Sequence, residues 1–236
     1  MIRYAKLPVV YDVKAMQREL LRAGGQWTSH LNTYHYTGSW TVLPLRSPGG
    51  RPDNPVPELL DRDTSFTDTV NMADFPSVKK LLDGFRCPAQ SARFLNLQAG
   101  AVIKQHRDAM LAFEKGEARL HFPIITNPEV AFYCQDERIN LNEGECWYLN
   151  ANLPHRVSNP GTADRIHLVV DFEVNDWLTE LINSAEQISR GEDPDDLQAF
   201  EIIAQLRRQN NEASNSHADE WEKRLMEKRR KEGIVK

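Results

Sequence analysis

Long apolar runs are missing from this chain of 236 residues. Nothing in it approaches the roughly 18 consecutive apolar residues of a membrane-spanning helix, so no membrane partner is expected. An excess of positive charge is missing too. The formal net charge is −5 and the sequence pI is near 5.8, which argues against a general nucleic-acid binder. Cysteine is scarce: Cys87, Cys134 and Cys146 are odd in number and form no Cys-x-x-Cys pair, a pattern that fits reduced thiols in a cytoplasm. The first residues carry neither the apolar run nor the small-residue cleavage site of a signal peptide, so a cytoplasmic protein is expected. Internal repeats and low-complexity tracts are absent. The length suits one domain, or one domain with an appendage.

What the chain does contain is a series of short strands, read at about 93–98, 102–106, 119–126, 130–134, 138–141, 146–149, 155–158 and 165–172. Their close spacing argues for a barrel or sandwich, not for strand–helix alternation. Within them lies His106-Arg107-Asp108. Residues i and i+2 of a strand project from the same face, which sets an imidazole beside a carboxylate. On its own a His-x-Asp pair is an ordinary surface feature. It gains weight from residues 143–155, a turn, an apolar strand and a second turn that deliver His155. Two imidazoles and one carboxylate on an octahedral ion leave three positions open, the arrangement of non-haem Fe(II) oxygenases.

Facing supplies the second clue. In 165–172, Ile166, Leu168, Val170 and Phe172 share one face, and Arg165, His167, Val169 and Asp171 share the other. Arg119 and His121 likewise stand opposite Leu120, Phe122 and Ile124. Two strands carrying Arg-x-His beside a candidate metal histidine predict a polar pocket inside a barrel. Arg holds a carboxylate bidentately, so a dicarboxylate co-substrate reaching from metal to Arg would fit. Residues 158–162 read as a tight reversal closing a hairpin near Pro160, which would set residue 165 opposite 155.

The residues quoted, with the run from Gly144 to His155, resemble the aspartyl/asparaginyl β-hydroxylase family, and within it the bacterial branch that includes free-proline cis-4-hydroxylase. The resemblance implies a mainly β fold, a double-stranded β-helix of jelly-roll or cupin-like form. It implies Fe(II) on His106, Asp108 and His155, with 2-oxoglutarate and O2 as co-substrates. Arg165 would hold the distal carboxylate of 2-oxoglutarate, and Arg119, His121 and His167 would line the co-substrate end of the pocket. The implied reaction hydroxylates an unactivated C–H of an amino acid or of an amino-acid side chain in a peptide, with release of succinate and CO2. A cupin-type metal-binding sensor or small-molecule binding module is the competing reading; Asp108, where the cupin pattern has a second His, argues against it.

Flanking elements follow from periodicity and caps. Asp12 caps a helix with Val13, Met16 and Leu20 on one face, ended by Gly24 and Gly25. The aromatic and polar run 27–40, with the strand-like 41–45 and the segment 46–50 after it, reads as a strand pair packing aromatics on the barrel; the functional reading is a wall of the substrate pocket, with His30, Asn32 or Arg46 touching substrate. A short helix is expected at 57–62. A clear amphipathic one spans 73–85, capped by Asp74, with Val78, Leu81, Leu82 and Phe85 inward. From residue 176 the pattern is helical, with further helices at about 195–208 and 217–231. This divides the chain into a dioxygenase domain, 1–175, and a C-terminal helical extension, 176–236, whose stripes leave room for a homo-oligomer contact. The basic cluster at 228–231 reads as a solvated helix end.

Overall fold

The structure, a computed structural model, describes residues 1–23, 27–53 and 65–231. The stop expected at Gly24 and Gly25 and the helix expected at 57–62 lie outside the described residues. Two antiparallel sheets dominate. The larger runs β14 (Gln187–Arg190), β1 (Ile2–Leu7), β11 (Cys146–Leu149), β8 (Glu117–Ile125), β13 (Arg165–Glu173), β6 (Ala89–Leu97), β4 (Trp40–Pro48) and β2 (Thr28–Ser29), with β5 (Phe66–Asp68) also on β4. The smaller runs β10 (Glu137–Ile139), β9 (Ala131–Cys134), β12 (His155–Ser158), β7 (Val102–His106) and β3 (Tyr36–Thr37).

From β7 onward the chain passes back and forth between the sheets. β7 is in the smaller, β8 in the larger, β9 and β10 in the smaller, β11 in the larger, β12 in the smaller and β13 in the larger. This is the double-stranded β-helix. It also corrects the expected hairpin: β12 pairs with β7 and β9, whereas β13 pairs with β6 and β8. The reversal at 158–162 is a crossing between sheets. Asn159, fully buried, pins it by donating to the carbonyls of Leu97 (3.0 Å) and Ala163 (2.9 Å).

Register explains the facing. β13 aligns Arg165 with Leu97, His167 with Leu95, Val169 with Arg93 and Asp171 with Ser91 of β6. On its other side Val169 meets His121 and Asp171 meets Arg119 of β8. One face of the larger sheet thus carries a continuous polar patch, as the alternation predicts. The opposite face is apolar and covered by helices. In α2 (Pro76–Asp83), Val78, Leu81 and Leu82 are buried, and beyond it Phe85 stacks on Phe172 with centroids 4.5 Å apart. Its cap is Phe75, not the expected Asp74, and no side chain of its own satisfies the first turn. Glu19 does so instead, from α1 (Val13–Arg22), accepting from the Ser77 N–H at 3.1 Å and its hydroxyl at 2.6 Å. Asp12 caps α1 as expected, through the Ala15 N–H at 2.8 Å.

The chain forms two compact units, Arg3–Ser189 and Arg190–Lys236 with Met1–Ile2. The first includes α3 (Asp176–Asn183), capped by Asn175. The second is built on α4 (Pro194–Gln209) and α5 (Glu212–Lys231). Here Lys228 and Arg229 are not a solvated end. They pair with the buried carboxylates of Asp193 and Asp196 at 2.6–3.1 Å, because acids gathered at the start of α4 need counter-charges when buried. No described helix is long and apolar enough to cross a membrane.

Candidate metal centre

His106 ends β7, His155 opens β12, and the two stand opposite each other in the ladder. Asp108 lies just past the end of β7, where its N–H donates to the Ala151 carbonyl at 2.9 Å. One ligand atom from each of His106, Asp108 and His155 falls within 4.8 Å of the others. His106 Nε2 is 3.8 Å from Asp108 Oδ1, and the two imidazole centroids are 4.2 Å apart. Each ring is oriented by its other nitrogen. His106 Nδ1 meets the Lys104 carbonyl at 2.8 Å and His155 Nδ1 the Leu153 carbonyl at 3.0 Å. A carbonyl only accepts, so both Nδ1 atoms carry a hydrogen, which leaves Nε2 as the ligand atom of each ring. Burial pulls the His155 pKa down to about 4 against the opposing charge of Asp108, which keeps the ring neutral at pH 7. Burial works against ionisation of Asp108, but the Arg119 charge outweighs it and holds the carboxyl below its usual range. The donor set suits a divalent transition metal.

These three residues line a cavity of about 640 Å³, and so do Arg119, His121 and Arg165. Arg165 is 2% exposed, and no acid among the described residues pairs with it. Its Nη2 donates to His167 Nδ1 at 2.8 Å, which leaves the His167 hydrogen on Nε2. That Nε2, Arg165 Nε and His121 Nδ1 are all buried without a hydrogen-bond partner. Burial pulls the Arg165 pKa down to about 9 and the His167 pKa well below the usual histidine value. A buried charge is normally paired, so this end of the cavity is shaped for an anion. Between the two ends lies Phe132, its ring parallel to His155 at 6.4 Å and 6.0 Å from the Arg165 guanidinium carbon.

Arg119 does not stand free in the cavity. Its Nε and Nη2 donate to the two oxygens of Asp171 at 2.7 and 2.9 Å, and its Nη1 donates to Asp108 Oδ2. Burial opposes the ionisation of Asp171, yet the guanidinium groups of Arg119 and Arg93 hold its carboxyl far below the ordinary range. Asp171 was legible only as a polar residue on the Arg165 face, and Arg93 not at all. A strand of buried apolar residues interrupted by Ser91 and Arg93 was the available signal.

Of the candidate substrate residues, His30 and Asn32 line the cavity and Arg46 does not. His30 stacks on Trp40 at 3.6 Å. His35, which the sequence did not single out, lies with its ring 4.9 Å from that of His106. Arg46 donates instead to the Ala89 and Phe66 carbonyls and to Asp68, each at 2.7 Å. A bulge between Pro44 and Arg46 reverses its facing, as one extra residue in a strand must.

A family model described as Aspartyl/Asparaginyl beta-hydroxylase matches residues 11–174. The L-proline cis-4-hydroxylase of Rhizobium meliloti (strain 1021) is 26% identical over 152 residues, 64% of this chain and 53% of that protein. L-proline cis-3-hydroxylase 2 of a Streptomyces species is 28% identical over 141 residues, 57% of this chain and 47% of that protein. The chain therefore spans about half the length of the curated relatives it matches. A solved oxidoreductase of the 2OG-Fe(II) oxygenase family from Burkholderia pseudomallei shares the fold, with a TM-score of 0.50 and 13% identity over 72% of this chain and 85% of that one. With the family model covering the chain from α1 through β13, and with it every residue of the His106, Asp108 and His155 cluster, the chain belongs to the aspartyl/asparaginyl β-hydroxylase family.

Proposed function

We propose that the protein is an Fe(II)- and 2-oxoglutarate-dependent dioxygenase that hydroxylates an unactivated C–H of an amino acid, free or within a peptide, releasing succinate and CO2. One observation carries this reading: a three-ligand cluster at one end of a cavity and a buried guanidinium without a counter-charge at the other. A site that senses metal alone needs only the first; release of succinate separates the enzyme from a module that merely binds a carboxylate. Fe(II) held by His106, Asp108 and His155 would supply the oxygen-activating redox chemistry.

The chain's own residues do the rest. His106 and His155, held through Nδ1 by the Lys104 and Leu153 carbonyls, keep Nε2 on the ligand side without reorientation when metal arrives. Arg165 offers its fork to the distal carboxylate of 2-oxoglutarate, and the neutral His167 beside it adds no competing charge. Phe132 gives the co-substrate's methylenes an apolar floor between these ends. His30, Asn32 and Trp40 form part of the wall against which an amino-acid substrate would rest.

The curated relatives are named for L-proline, so free L-proline is the first substrate to try. The protein is reconstituted anaerobically with Fe(II) and 2-oxoglutarate, then exposed to oxygen with L-proline, other amino acids and short peptides. A gain of one oxygen in a substrate, matched by succinate, is the expected result. Absence of succinate with every substrate would contradict the reading.

A further inference from the structure

Asp171 touches none of the three ligand residues, yet it holds the group that holds one of them. It is 5% exposed on the inner face of β13. Its Oδ1 accepts from Arg119 Nε at 2.7 Å; its Oδ2 accepts from Arg119 Nη2 at 2.9 Å, Ser91 Oγ at 2.7 Å and Arg93 Nη1 at 3.0 Å. This two-point grip fixes the plane of the Arg119 guanidinium. The remaining nitrogen, Nη1, donates to Asp108 Oδ2. Asp108 therefore shows one oxygen to Arg119 and the other, Oδ1, to His106 Nε2 at 3.8 Å.

We propose that Asp171 is a positioning residue: by locking Arg119 it keeps Asp108 Oδ2 off the metal, so that Asp108 serves as a one-oxygen ligand. The proposal rests on the metal-site reading above. Its consequence is a count of positions. Two imidazoles and one carboxylate oxygen leave three places open on an octahedral ion, and a carboxylate turned to bind through both oxygens would close one of them. A charged hydrogen bond from a rigid fork is suited to prevent that turn, because the Asp108 oxygen it engages cannot bind metal without giving it up. A lysine in place of Arg119 could not be held by Asp171 and reach Asp108 through separate nitrogens.

Mn(II), bound to the whole 236-residue chain, is the probe, since its EPR line width in oxygen-17 water counts the waters it carries. About three waters are expected in the wild type, one for each position left open. Asp171→Asn and Arg119→Gln are each expected to carry about two, a loss of roughly one third. Ser91→Ala removes a partner of Asp171 without touching Arg119 and is expected to keep the wild-type count. Thermal unfolding establishes that each variant is folded. Should Asp171→Asn fail to fold, Arg119→Gln carries the test, because Asp171 then keeps Arg93 and Ser91. A wild-type water count in either folded variant overturns the proposal, and so does an equal loss in Ser91→Ala. Failure of the wild-type protein to bind Mn(II) would instead contradict the metal-site reading, and the positioning role would fall with it.

Discussion

At Arg165 the chain buries a positive charge with nothing among the described residues to balance it, and a ligand that supplies the missing carboxylate gains accordingly. Removing one partner of a buried, hydrogen-bonded charge pair costs roughly 2–5 kcal/mol. At about 1.4 kcal/mol per decade, Arg165→Ala should weaken 2-oxoglutarate binding by about 30-fold to several thousand-fold, measured by anaerobic calorimetry on the metal-loaded protein. Arg165→Lys should recover part of this, since a point charge cannot reproduce the fork. An effect within about 0.5 kcal/mol would show that the buried Arg165 does not hold the co-substrate. The histidines behave differently. His106→Ala or His155→Ala should abolish succinate release in a protein that still folds, with a cooperative thermal transition as the check. Full turnover in either variant under metal-limited conditions would exclude the ligand assignment.

Among the elements, the helices α1 and α2 are joined by a cap that neither could provide alone. Glu19→Ala strips the acceptor from Ser77 and should lower stability by about 1.5–3 kcal/mol in urea unfolding, with 2-oxoglutarate affinity unchanged. A stability loss below about 0.5 kcal/mol would mean that water replaces Glu19 without cost. This cap was beyond the sequence reading because its partners lie far apart in the chain; Asp74, a good local candidate, was chosen instead. Strand facing was legible, since period-two alternation is local: Arg165, His167 and Asp171 share a face in the sequence and in the register. Sheet membership was not. Whether 158–162 closes a hairpin or crosses between sheets depends on what Asn159 finds to bond, and those partners, Leu97 and Ala163, are set by the fold. Arg46 failed as a substrate residue for a similar reason, a bulge that no residue pattern announces. The strand β1 was missed entirely; its pairing with β11 is a long-range contact.

Across the whole molecule, the cavity residues all belong to the larger unit, and the helices α4 and α5 to the other. The helical unit leaves Leu197, Phe200 and Trp221 between 40% and 48% exposed, so its truncation should alter solubility or self-association. Deleting residues 210–236 should leave 2-oxoglutarate turnover intact; loss of turnover in a folded truncation would show that the tail takes part in the site. The central claim is that one cavity joins a metal triad to a carboxylate clamp. Its most direct test is an anaerobic titration of 2-oxoglutarate into the Fe(II)-loaded protein, followed by metal-to-ligand charge-transfer absorbance. A saturable band is expected in the wild type, absent in His155→Ala and reached in Arg165→Ala only at far higher 2-oxoglutarate. No band in the wild type, or a midpoint that Arg165→Ala leaves unmoved, would contradict the claim.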